Sequence, residues 1–168
     1  MLLPVRIYGD PILRKKLAAA GSPEEVLPHL PDMIETMYDD DGIGLSANQV
    51  GLNKRFFIIG ETAFENGRPD SVFIDPVILG ASDETGDYEE GCLSVPGIRE
   101  DVERPLTVTV RYTDQQGEKR QEILTGLAAR VFQHEFDHVN GIFFVDRISS
   151  LRRTLISGKL KKLINQHS

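Results

Sequence analysis

Apolar and polar positions change period along the chain. Residues 126–139 (GLAARVFQHEFDHV) hold no helix breaker, and Leu127, Val131 and Phe132 recur at helical spacing, which predicts an amphipathic helix. His134 and His138 continue its apolar stripe, and Gly141 stands where a C-terminal stop belongs. Upstream the character is that of strands. Residues 55–60 (RFFIIG), 71–79 (SVFIDPVIL) and 106–112 (LTVTVRY) are rich in β-branched and aromatic side chains. Residues 114–117 predict a hairpin turn with a return strand through Leu124, and residues 90–97 a short segment turning at Pro96-Gly97. Near the start, residues 23–38 predict a helix with Ser22 as N-cap and Pro23 at its first position; Pro28 and Pro31 interrupt it, so its regular part begins near Pro31. Asp39-Asp40-Asp41-Gly42 ends that helix in a loop carrying GIGLSANQ, residues 42–49. Ser149 or Ser150 caps a last helix with Leu151, Leu155, Ile156, Leu160 and Leu163. Strands with a central helix packed on them and helices at both ends predict an α+β fold: antiparallel or mixed sheets around a central helix, with an N-terminal and a C-terminal helix.

Composition narrows the class. At 168 residues, with 40% hydrophobic and 27% charged, the chain suits one globular domain over residues 1–168. No run approaches the roughly eighteen apolar residues of a membrane span. The opening MLLPVRIYGDPILRKK is too soon interrupted for a secretory signal, so a cytoplasmic location is expected. A net charge of −7 argues against DNA and general nucleic-acid binding. The charge is uneven: residues 146–168 hold six Lys/Arg and one acid, whereas residues 1–145 sum to −12. Cys92 is the single cysteine, so no internal disulfide forms; it is either a small buried hydrophobe or a chemically used thiolate.

The central helix carries candidate chemistry. His134-Glu135-Phe136-Asp137-His138 reads H-E-x-x-H. Positions i and i+4 share a helical face, so both imidazoles can reach one metal ion, with Glu135 rotated by about 100° toward a water on that ion. Two satisfied core histidines beside an acid are the bland alternative. A catalytic metal usually takes three protein ligands. The metzincin pattern continues as far as Gly141 and then fails, because Phe144 stands where the third histidine belongs. No glutamate follows Glu135, Asp146 is the only later acid, and the other histidines are His29 and His167, next to the chain end. Elimination points upstream to Cys92, in EEGCLSVPG; a thiolate with two imidazoles leaves a fourth position open. The 42–47 stretch matches G-x-G-x-x-A but lacks the strand before it and the helix after it that a dinucleotide site needs. What that loop offers is the Gln49 amide, a donor for an oxyanion.

Three stretches together resemble the peptide deformylase family: Gly42-Ile43-Gly44-Leu45-Ser46-Ala47-Asn48-Gln49, Glu90-Gly91-Cys92-Leu93-Ser94 and Gln133-His134-Glu135-Phe136-Asp137-His138. The opening YGDPILR, residues 8–14, resembles the family's usual start, so the likeness covers nearly the whole chain. Ser46 replaces the usual first alanine of the first motif, and Val139 stands where leucine is commoner. The resemblance implies removal of the formyl group from N-formylmethionine at the start of new polypeptides. It implies a metal that would be held by Cys92, His134 and His138 and would supply the hydroxide for attack on the formamide carbon. Gln49 and the Leu93 backbone N–H are implied as donors to the oxyanion, and Glu135 as the group that moves the proton to the leaving amine. It implies Fe²⁺ as the native ion, with Zn²⁺, Ni²⁺ or Co²⁺ as substitutes.

For the methionine side chain, Ile43, Gly44, Glu90, Gly91, Leu127 and Val131 are the candidate pocket, with Gly44 backbone groups pairing the peptide in strand fashion. Arg99 is placed to pair with Glu90. The basic tail is either a solvated helix or a positive face toward ribosomal RNA, through Arg152, Arg153, Lys159, Lys161 and Lys162. Two rival readings stand beside this one: a zinc endopeptidase with Asp146 as third ligand, and a metal-binding interaction module without turnover.

Overall fold

The computed structural model describes residues 1–167; the side chain of His167 and all of Ser168 lie outside the description. The fold is α+β, as the period changes predict. Strands β1 (Gly44–Ser46), β2 (Phe56–Ile59), β3 (Ser71–Ala81), β6 (Thr107–Thr113) and β7 (Lys119–Thr125) form one antiparallel sheet in the order β1-β2-β3-β6-β7. Strands β4 (Thr85–Cys92) and β5 (Val95–Pro105) form a separate antiparallel hairpin. Helix α2 (Gly126–Val139) lies between the two. Its Phe132 stacks edge-on against Phe57 and Phe73 of the large sheet, with ring centroids 5.0 and 5.3 Å away. Its other face meets the hairpin through Arg130, Gln133 and His134.

Several expectations are corrected. The 23–38 helix keeps the interruption expected at its prolines, with α1 running Leu30–Asp39, and only its first part differs, as short 3-10 turns at Pro23–Glu25 and Leu27–His29. Pro28 and Pro31 each fit an opening turn and not a helix interior, which is why the elements restart there. The turn after Cys92 falls at Leu93-Ser94 instead of Pro96-Gly97, and the short segment is half of a long hairpin. The β4 strand hid because its exposed face is charged and its only buried position is Glu90. Residues 42–49 are not all loop: Gly44–Ser46 pairs with β2, and Ala47–Val50 makes a 3-10 turn. Asp75, inside the expected 71–79 strand, has φ 49° and sits at a register shift before Pro76. Its carboxylate accepts from the Ala20 and Gly21 amides and so pins the N-terminal segment to the sheet.

A second core gathers Tyr8, Leu13, Val95, Ile98, Phe143 and Phe144 under helix α3 (Ser150–His167). Ile156, Leu160 and Leu163 of α3 are buried there, whereas Leu151 and Leu155 are exposed. The Ser149 hydroxyl accepts from the Arg152 amide at the start of this helix. No helix among the described residues is long and apolar enough to cross a membrane.

Helix α2 ends at Val139, two residues before the stop expected at Gly141. The φ of Gly141 is 77°, its amide donates to the His138 carbonyl, and an added Cβ would meet the Arg14 carbonyl oxygen at 2.4 Å. That approach leaves no room for a side chain. Gly141→Ala is expected to cost about 3 kcal/mol or more, from combined left-handed strain and overpacking. Urea unfolding of the variant checks this, and a loss below about 1 kcal/mol would refute it.

Candidate metal centre and cleft

Three segments distant in sequence supply the site. The 3-10 turn after β1 brings Gln49, the tip of the β4–β5 hairpin brings Cys92, and α2 brings His134, Glu135 and His138. Cys92, His134 and His138 place one ligand atom each within 4.8 Å of one another, and Cys92 Sγ lies 3.1 Å from His138 Nε2. One sulfur and two nitrogens at this spacing form a donor set suited to a divalent transition ion with one position left open.

Surrounding groups fit that use. His134 Nδ1 lies 2.8 Å from Glu90 Oε1, which directs its other nitrogen inward; metal-binding histidines are commonly held this way. Two fully buried polar atoms without a protein partner, Glu135 Oε1 and His138 Nδ1, both belong to this centre. Burial pushes the Glu135 carboxyl up to about 7, with His134 opposing it. Burial likewise lowers His138 well below the usual imidazole value. For His134 burial acts downward, but hydrogen bonding with Cys92 and Glu90 outweighs it and raises that imidazole. Burial also disfavours ionised Glu90, yet His134 and Arg104 hold it far below the ordinary carboxylate value.

A cleft of about 410 Å³ opens onto the centre. Ile43, Gly44, Glu90, Gly91, Arg99 and Val131 line it, together with Gln49, Leu93 and Glu135. Gly44 matters there by lacking a side chain: an added Cβ would come within 2.8 Å of both Glu135 Oε2 and Val131 Cγ1. Gln49 Nε2 points toward Ser94 Oγ at 3.1 Å and Cys92 Sγ at 3.4 Å. The Leu93 N–H has no protein acceptor among the described residues.

Other expectations fail. Leu127 is absent from the cleft wall and packs against the large-sheet core. Arg99 pairs with the exposed Glu89 at 2.8 Å, not with Glu90. Glu90 is instead taken by Arg104, Arg130 and His134. Asp146 accepts from Arg14, Arg153 and the Phe143 amide, and His29 stands in a 3-10 turn outside the ligand group, so neither serves as the third ligand. Four residues went unforeseen: Arg104, Asp137, Arg130 and Tyr88. The last two line the cleft with the guanidinium over the ring, 5.6 Å from its centroid. A signal for Arg104 was present, since on β5 it shares the buried alternation of Ile98, Glu100 and Val102.

A sequence profile described as polypeptide deformylase matches residues 2–154. A peptide deformylase of Pseudothermotoga lettingae is 44% identical over 167 residues, covering 99% of this chain and 94% of the relative. The crystal structure of a Thermus thermophilus peptide deformylase superposes with a TM-score of 0.90 at 37% identity, covering 99% of each chain. That of the Thermotoga maritima peptide deformylase gives 0.81 at 44% identity, covering 89% of this chain and 99% of the other. With the profile spanning most of its length and relatives matched nearly end to end, the chain belongs to the polypeptide deformylase family.

Proposed function

We propose that this chain hydrolyses the formamide of N-formylmethionyl peptides, releasing formate and a free α-amine, with Cys92, His134 and His138 holding one divalent ion. The observation that carries this reading is the meeting, in one cleft of a deformylase-family chain, of a sulfur and two imidazole nitrogens with an unpartnered buried carboxylate beside them. When bound, the ion supplies Lewis-acid chemistry, making water acidic near neutral pH and polarising a carbonyl. Glu135 takes the proton of the attacking water and returns it to the nitrogen as the C–N bond breaks, since an amine leaves poorly unprotonated. Gln49 Nε2 and the Leu93 N–H donate to the developing oxyanion. Glu90 keeps His134 oriented through Nδ1. Ile43, Val131 and the Gly44 backbone take the methionyl residue, with room for the peptide against β1 that Gly44 leaves open.

Fe²⁺ is the proposed native ion, with Zn²⁺, Ni²⁺ or Co²⁺ as functional substitutes, because a thiolate and two imidazoles accept all of them. A location in the cytoplasm, where formylated chains are made, goes with this reading. A contact with ribosomal RNA through α3 is the proposed partner surface, though on fewer cations than the tail's composition suggests. Arg152 is occupied by Glu100, and Arg153 by Asp146 and the Tyr8 hydroxyl. Lys159, Lys161 and Lys162 are exposed and carry the proposal.

Three outcomes test this. Formyl-Met-Ala-Ser, incubated with the metal-loaded protein under reducing anaerobic conditions, should yield formate, and Glu135→Ala should lower the rate about 10²- to 10⁴-fold while metal content stays at one per chain. Activity surviving within about tenfold would remove Glu135 from the proton transfer. Glu90→Gln is expected to weaken metal affinity about 10- to 100-fold, read by chelator competition; unchanged affinity would show that Glu90 does not orient His134. Deleting α3 would expose Ile156, Leu160 and Leu163, so the ribosome contact is better tested by reversing charge. The Lys159→Glu, Lys161→Glu, Lys162→Glu triple variant should lose co-sedimentation with ribosomes at low salt, and retained co-sedimentation would discard the contact.

A further inference from the structure

Ser46 carries a wholly buried hydroxyl. It closes β1 and opens the 3-10 turn that presents Gln49. Its backbone N–H donates to Gln49 Oε1 at 3.0 Å, and its hydroxyl lies 3.1 Å from the same oxygen. That hydroxyl is also 2.6 Å from Asn48 Oδ1, and Asn48 Nδ2 donates to the His138 carbonyl at 2.8 Å. Ser46, Asn48 and Gln49 are each at most 2% exposed, so water does not substitute for these partners.

An amide side chain carries its acceptor and its donor on opposite branches. Holding Oε1 at the Ser46 end therefore fixes Nε2 at the other, toward Ser94 Oγ and Cys92 Sγ. A flipped Gln49 would set its NH2 against the Ser46 N–H and its oxygen against the sulfur, and both contacts repel. The backbone N–H supplies one bond to Oε1. The hydroxyl shares its one proton between Asn48 Oδ1 at 2.6 Å and Gln49 Oε1 at 3.1 Å, a three-centre bond that ties the same point through Asn48 to the turn of α2 that carries His138. An alanine at this place would leave the buried Asn48 carbonyl oxygen without its donor and Gln49 Oε1 with the Ser46 backbone N–H alone.

We propose that Ser46 is a positioning residue: its hydroxyl, shared between Asn48 and Gln49, clamps the carbonyl end of the Gln49 amide and keeps Nε2 aimed into the cleft. The inference rests on the oxyanion-binding role proposed for Gln49. Ser46→Ala is expected to lower kcat about fivefold with KM within about twofold, the size of one buried hydrogen bond felt in the transition state. In a Gln49→Ala background the same substitution should change kcat by less than about 1.5-fold, because the clamp then holds nothing. Equal losses in both backgrounds, or no loss in the first, would overturn the proposal. A second readout does not depend on turnover. In the zinc-loaded protein the Gln49 side-chain NH2 protons should exchange with solvent several-fold faster after Ser46→Ala, followed by ¹⁵N-edited NMR; unchanged exchange would also overturn it. Failure of the wild type to release formate would strike the deformylase reading instead, leaving the exchange comparison to decide on Ser46.

Discussion

The buried carboxylate of Glu90 joins the two halves of the site. It accepts from Arg104 Nε and Nη2, from Arg130 Nη1, and meets His134 Nδ1. Arg104 also reaches Asp137 of α2, so two guanidinium groups face two carboxylates within the helix–hairpin interface. Strand β4 buries no apolar side chain of its own, since Glu90 is its one buried position. Through β4 the hairpin therefore meets the helix by paired charge, and the apolar burial of the hairpin lies on β5. Such a network holds only when complete: removing the carboxylate would leave two buried cations half-paired and a ligating histidine free to turn.

This arrangement explains what could be read from the chain and what could not. The 126–139 helix, its glycine stop and its two histidines were legible, because local periodicity decides them and the structure keeps both bounds. The three short motifs were legible as chemistry because few residue types ligate metals or donate to oxyanions. The long hairpin was not, because its strands are stabilised by cross-strand pairing and by ion pairs that leave no apolar alternation in β4. Pairing Arg99 with Glu90 failed for a related reason. They lie close across the hairpin, but strand alternation turns Glu90 inward and Arg99 outward, to the solvent side where Glu89 sits. Leu127 is kept from the cleft because its side of α2 faces the large sheet.

Long-range closure also shapes the reaction. Gln49, Cys92 and His138 are separated by tens of residues yet touch through single hydrogen-bonding contacts. None is positioned by its own segment alone. The N-terminal stretch contributes too, since the Arg6 amide donates to the Gln49 carbonyl and the Tyr8 amide to that of Ser94. A site assembled from so many segments has the donors proposed for the oxyanion in place before substrate arrives, as electrostatic catalysis requires.

Strand β1 ends the large sheet, and its outer edge borders the cleft only at Gly44; Leu45 and Ser46 beyond it are fully buried. A peptide lying along that edge meets open backbone at Gly44 and the preceding Ile43, and a closed protein from Leu45 onward. A polypeptide bound at mid-chain needs a clear path on both sides of the scissile bond, whereas a terminus needs it on one. The H-E-x-x-H helix thus faces a cleft in which only the first residue of the short edge strand lies open.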